Sequence, residues 1–398
     1  MFNRITGSRR QFSAVVVWTV AIGIAAVFGA AVPARAADPN PAVNEPDRTA
    51  WTLFTGIVPY RGASGGNDAV FETWAGDPDT FSSAPAWPPS SGAAKKLSPG
   101  LLGRGVRAHR ATSAPAPAGD CVAHWRPGEA PCIAEEVRRN RAAFEFIVQT
   151  GIYTQAGLAA FYDKPLAFPT GAIEVKADWI PVSELQSWNG TPPDQADTLY
   201  HVNAVAGPDG KPIAYALVAL HIMSKQVPNW TWATFEHWRN PGRCDEIGCH
   251  DLYGAATAHV PPNAKPLQGY SDCAKSGALL AQFSQIGLSP VWQNYCLKGT
   301  QSNYVTNTGK PVALGNSVIE GLNAGLSPVQ NSCMTCHATA AFNGKGMGLA
   351  VGLEHDLIGA PQPDWFGNGA SAYRQADFDW SIPLCAVPTG GTSACALP

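Results

Sequence analysis

Near its C-terminal end the chain carries Cys333-Met334-Thr335-Cys336-His337. Cys-x-x-Cys-His is the attachment signature of a c-type haem. Each thiol forms a thioether with one vinyl group of the porphyrin, and the histidine that follows is held beneath the iron as proximal ligand. Cys333 and Cys336 are therefore expected to carry the macrocycle, and His337 the iron. A bare Cys-x-x-Cys also serves zinc sites and thioredoxin-like redox pairs. Zinc would need a second ligand pair, but the sequence holds no further Cys-x-x-Cys and no His-x(3–5)-His. A redox pair needs no adjacent histidine.

A second string invites the same chemistry. Cys244-Asp-Glu-Ile-Gly-Cys249-His250 reads Cys-x(4)-Cys-His, a spacing some multihaem cytochromes use for attachment. A small disulfide loop followed by an exposed histidine explains those residues equally, and one haem is the expectation.

What lies across the iron decides between electron transfer and chemistry, because two strong axial ligands leave no open position. Met347 is the one methionine after the motif and sits among glycines in Gly344-Lys345-Gly346-Met347-Gly348. It is either a thioether ligand or a gap-filler against the ring. His221 and His237 are the rivals. Period-two geometry puts His221 and Met223 on one strand face with Leu217 and Tyr215, and His237 on a face with Phe235 and Ala233, opposite Trp232 and Glu236. The same geometry argues against a Glu236–His237 dyad. A histidine on an apolar strand face is more commonly a hydrogen-bonded core residue than a ligand.

Haem is attached outside the bacterial cytoplasm, so the motif demands an export signal. Residues 1–36 read as one: Arg4, Arg9 and Arg10 precede the uncharged stretch Ala14 to Val32, and Ala34-Arg35-Ala36 offers an A-x-A cleavage site. The membrane enters only if that segment stays uncleaved. The paired arginines also resemble a twin-arginine signal, but that route carries folded chains, so they are read as an ordinary positive n-region. Ten cysteines minus the motif's two leave an even remainder, which suggests disulfides in an exported chain. The close pairs 121/132, 244/249, 273/296 and 385/395 are the simplest of many connectivities.

Around these residues an α+β fold is expected: a β-rich body with flanking helices and a C-terminal cytochrome c-like haem-attachment segment. Residues 37–119 are Pro/Gly-rich and read as loops and short elements, wrapped on the body through Trp51, Phe54, Trp74 and Trp87. The body spans 120–310 and the haem segment 311–398. Ala134 to Tyr162 has helical spacing, divided at Gly151 and Gly157. Gly171 to Trp179 alternates like a half-buried strand. Leu199 to Val205 and Ile213 to Met223 read as a hairpin through Gly207-Pro208-Asp209-Gly210. Trp230 to Trp238 is a further strand, with helices over Ala274 to Ile286 and Ser317 to Ala324. The formal charge of −3, together with the absence of a basic run, speaks against nucleic-acid binding. Hydrophobic content of 45% supports a sizeable core.

Four strings carry a resemblance: F-P-x-G-A-I-E-V-K-A-D-W from Phe168, L-H-I-M-S-K from Leu220, W-T-W-A-T-F-E-H from Trp230 and S-C-M-T-C-H-A from Ser332. In these the chain resembles a group of large, single-haem bacterial cytochrome c proteins over about residues 130–350. The resemblance implies an exported haem protein with a β-rich body and makes Cys333, Cys336 and His337 the haem ligands; it names no substrate and no sixth ligand. The expected function is periplasmic electron transfer with a redox partner protein. A periplasmic haem enzyme of peroxidase or oxygenase type, or a haem-based gas-binding protein, is the alternative, since the body is far larger than a carrier needs. No His-Glu-x-x-His string offers zinc-dependent catalysis instead.

Overall fold

Alternation along Ile173–Pro181 sets the architecture: Val175, Ala177 and Trp179 point one way, Glu174, Lys176 and Asp178 the other. In the computed structural model of the chain, the described residues are 40–60, 68–89, 98–99, 126–206, 211–263, 265, 267, 269–324, 326–369 and 372–395. The stretch read as an export signal, Cys121 and the turn 207–210 lie outside them. Among the described residues the main elements are helix α1 (Pro46–Ile57), strands β1 (Ala75–Gly76), β2 (Ser98–Pro99) and β3 (Ala134–Arg139), helices α2 (Arg141–Thr150) and α3 (Gln155–Ala160), and strands β4 (Ile173–Pro181), β5 (Val202–Ala206), β6 (Pro212–Ser224) and β7 (Thr231–His237). Then follow the short pair β8 (Cys249–His250) and β9 (His259–Val260), helix α4 (Gly277–Gln285), β10 (Tyr295–Gln301), a π-helical segment Ser317–Ala324, and α5 (Cys333–Ala338). Strands β11 (Ala340–Phe342), β12 (Gly348–Ala350) and β13 (Arg374–Gln375) and helix α6 (Ser381–Cys385) complete the chain.

The main sheet is antiparallel and runs β1-β3-β4-β6-β7-β10, with β2 beside β3 and β5 beside β6. The chain is therefore α+β. One face carries an apolar core built on the N-terminal helix. There α1 lays down Ala50, Trp51, Phe54 and Ile57 at helical spacing, and α4 adds Leu279 and Phe283. They pack on Val175, Ala177, Leu220, Ile222, Ala233 and Phe235. Trp51 and Phe54 each meet the Phe235 ring, with centroids 4.9 and 4.6 Å apart. The N-terminal segment does wrap on the body through Trp51 and Phe54, but on a three-turn helix and not on loops.

Two readings of local structure change. Ala134–Arg139 is a strand and not the start of a helix: Glu135 and Glu136 pair across to Asp178 and Ala177, and the ladder outweighs their helical propensity. The helical pattern is real from Arg141 onward, capped by the Asn140 side chain, and Gly151 ends α2 at φ 76°. The second change is a bulge. Asp178 pairs with Ala219 and Trp179 with Leu217, so Val218 is an extra residue in β6. It reverses the face assignment: His221 and Met223 point away from Leu217 and Tyr215, not with them.

Three disulfides join Cys244–Cys249, Cys273–Cys296 and Cys385–Cys395, as the short spacings suggested. Cys132 is also disulfide-bonded. Among the described residues no helix is long and apolar enough to cross a membrane.

Trp51 ties α1 to the loop after β8, its indole N–H donating to Asp251 at 2.8 Å. Gly254 closes over the same ring, where a Cβ would lie 1.9 Å from the indole nitrogen. Trp51→Ala should cost about 3–5 kcal/mol by urea unfolding, through the lost ring packing and the carboxylate left unpartnered.

Candidate functional site

Because C-terminal elements cover its second face, the charged side of β4 is buried. Glu174 is 5% exposed, Lys176 8% and Asp178 0%. Each cation has an acidic partner. Lys176 meets Glu135 at 2.7 Å, Arg139 meets Asp77 at 2.6 Å, and Glu174 lies 3.6 Å from Arg139. Burial opposes the Lys176 charge, and the Glu135, Asp178 and Glu320 carboxylates together outweigh it, raising the ammonium above its ordinary value. Burial, and then the Asp379 charge, push Glu174 well above the usual carboxylate range.

Between this charged face and the C-terminal cover lies a narrow cleft of about 40 Å³. Glu135, Glu174, Lys176 and His221 supply its polar wall, Met223 and Trp232 its apolar floor, and His337, Trp380 and Leu384 its opposite side. Volume alone admits a few waters; a porphyrin requires the apolar lining to stand further apart.

Helix α5 places the sequence motif here. Ser332 caps it by accepting from the Thr335 N–H, and the Gln301 side chain at the end of β10 accepts from the Ser332 hydroxyl. Cys333 and Cys336 are buried and free, whereas the other described cysteines are in disulfides. Burial pushes the Cys336 thiol up to about 12 and Cys333 well above its ordinary value. Reactive redox cysteines show the opposite shift. The His337 ring lies 4.6 Å from Trp232, and its Nδ1–H donates to the Phe378 carbonyl at 2.8 Å. That bond leaves Nε2 as the free nitrogen, and burial lowers the imidazole to about 3, so it is neutral. Iron-binding histidines need both conditions.

The carbonyl that orients His337 is itself held in place. Asp377 and Phe378 adopt φ of 48° and 71°, a left-handed turn unfavourable for side chains of this size. Asp377 accepts from Lys225 Nζ at 2.5 Å and from the Phe168 N–H at 2.7 Å, and these bonds fix the turn.

Of the side chains considered for the sixth position, His221 shares the cleft with His337. Its Nε2 lies 3.5 Å from Glu320 and makes no hydrogen bond. His221, Glu320 and Cys333 offer donor atoms within 4.8 Å of one another. His237 is on the opposite sheet face, stacked on Tyr200 at 3.6 Å and close to Tyr295. Met347, 45% exposed, belongs to the turn joining β11 to β12. Cys244 and Cys249 are bonded to each other beside His250.

Sequence reasoning missed Glu320, whose position depends on Glu236. From β7, the Glu236 carboxylate accepts from the Ser317 N–H and hydroxyl, which sets the start of the π-helical segment and swings Glu320 toward His221. Glu236 and His237 do point to opposite faces.

Two outcomes test this arrangement. Lys225→Met leaves the buried Asp377 without its cation and should lower stability by about 3–5 kcal/mol in urea unfolding. His237 is lowered to about 3, burial being the main cause, and its neutral form is fully bonded to the Leu199 carbonyl and Arg239 N–H. The unfolded histidine takes up a proton near pH 6.5, so stability falls as pH drops from there toward 3. Between pH 7 and 5 the wild type should lose about 1–2 kcal/mol more than His237→Gln.

Comparison with protein-family models, with curated proteins and with solved structures gives no match, and the reading of the cleft rests on its own residues.

Proposed function

We propose that the chain is an exported c-type haem protein that exchanges electrons with a partner protein in the periplasm. One observation carries this reading: the two free, buried thiols and the Nδ1-anchored imidazole lie on a single short helix, and that imidazole faces a cleft. Cys333 and Cys336 would hold the haem covalently and His337 would bind its iron through Nε2. Bound there, the haem supplies a one-electron ferric/ferrous couple. His221, which lines the same cleft as His337, is the side chain that would offer the iron a further ligand. Its neighbour Glu320 is held below the usual carboxylate range despite burial, with His221 as the first opposing influence.

Further support comes from the four strings on which the resemblance rests. They supply Glu174 and Lys176, His221 and Met223, Trp232, and His337, which meet at the cleft from distant parts of the chain. The disulfides fit an oxidising compartment, and the export segment fits the periplasm.

A haem enzyme or gas-binding protein is the second reading, favoured by the titratable groups facing the cleft. Glu135, Lys176, Glu174 and His221 exceed what an electron carrier needs, and a carboxyl raised by burial can hold a proton near a reacting centre.

One set of spectra on protein from a haem-maturing periplasmic host tests both. The wild type should carry the mass of one haem through denaturation, and Cys333→Ser/Cys336→Ser should carry none. A chain without covalent haem overturns the proposal. Reduced protein unchanged by carbon monoxide supports electron transfer; a carbon monoxide-responsive spectrum replaces it with the second reading.

A further inference from the structure

The Cys244–Cys249 disulfide leaves His250 without the role its spacing suggested, and the fold gives it a partner. β8 and β9 pair antiparallel with His250 directly opposite His259. Cross-strand neighbours of this kind sit close enough for their side chains to meet. The two Nδ1 atoms are 3.1 Å apart, with ring centroids 4.5 Å apart and planes inclined by 39°. Two imidazole nitrogens on one ion at 2.0–2.1 Å stand roughly 2.9 Å apart at a right angle and roughly 3.4 Å apart at a tetrahedral angle. The observed separation falls between these limits.

The geometry points to a divalent transition-metal site in which Nδ1 of His250 and Nδ1 of His259 chelate one cation. Imidazole donors suit zinc, copper and nickel, with copper(II) bound most tightly of the three.

Three features favour a cation over a simple hydrogen bond between the rings. With Nδ1 turned to His259, the Ile247 backbone favours a proton on the His250 ring, which suits a ring whose second nitrogen donates. Ligating histidines commonly donate their second ring N–H in this way. The hairpin is also preset. The disulfide holds Cys249 next to His250, and the Asp251 N–H donates to the Ala258 carbonyl at 2.9 Å. Finally, both histidines are exposed, and His259 lines a cavity of about 380 Å³ from which water or an anionic ligand could fill the remaining positions. Asp47 attracts a cation at His250. Arg243 lines the same cavity and opposes one, but its guanidinium is turned to the Ser271 carbonyl and the Tyr270 ring.

The test is a copper(II) titration of the full chain, followed by calorimetry and by electron paramagnetic resonance. Zinc(II) and nickel(II) serve as weaker competitors. The wild type should bind one copper with nitrogen hyperfine structure from two imidazoles. His250→Ala and His259→Ala, both exposed and each checked for an unchanged melting curve, should each weaken binding at least about tenfold. No binding by the wild type, or equal binding by either variant, overturns the site and leaves a His259-to-His250 hydrogen bond.

Discussion

A charge that cannot reach water must be answered by another charge, and much of this structure follows from where that rule applies. The charged side of β4 faces inward, so Lys176 and Glu174 need Glu135, Arg139 and Asp77 around them. Those partners come from β3 and from the segment just after β1. The ion pairs thus place the outer strands and the N-terminal segment as well as lining the cleft. Replacing them with apolar residues would leave the sheet packable and would remove the polar wall that gives the cleft its chemistry.

The other face works on different terms. Trp51, Phe54 and Phe235 bury large rings there, and His237 joins that face as a neutral imidazole bonded at both nitrogens. The second face adds the buried charges of the cleft to an apolar cluster of its own. Glu236 links the two faces, sitting on the charged side of β7 while its neighbours Phe235 and His237 face the core.

Much of this was legible in the sequence. The alternation of β4, the β5–β6 hairpin, the β7 strand and α4 follow from local pattern, and the three disulfides match the simplest of the many pairings the spacing allowed. Alternation could not say that the polar side of β4 meets protein and not solvent, because that depends on residues 200 positions away. Val218 was beyond reach for a related reason: a bulge shifts the period by one residue without leaving any mark in composition, and it turned His221 to the cleft. Glu135 and Glu136 look like a helix start until their partners across the ladder are known. Glu320 had no signal of its own; its role comes from Ser317 being held by Glu236. At the candidate site, the motif residues were plain from spacing, whereas the choice among His221, His237 and Met347 required knowing which face each occupies.

The turn at Asp377 and Phe378 has a consequence in time. It is held by Lys225 and Phe168, more than 150 residues earlier, and the Tyr162 hydroxyl donates to the carbonyl of nearby Ala372. Contacts of such long sequence separation form late and slowly in folding. Until they form, the motif thiols are open to reagents; afterwards Cys333 and Cys336 are 3% and 5% exposed. Any covalent chemistry at these two sulfurs therefore has a window that closes when the last part of the chain docks, and the rate of that docking sets how long a reagent has to act.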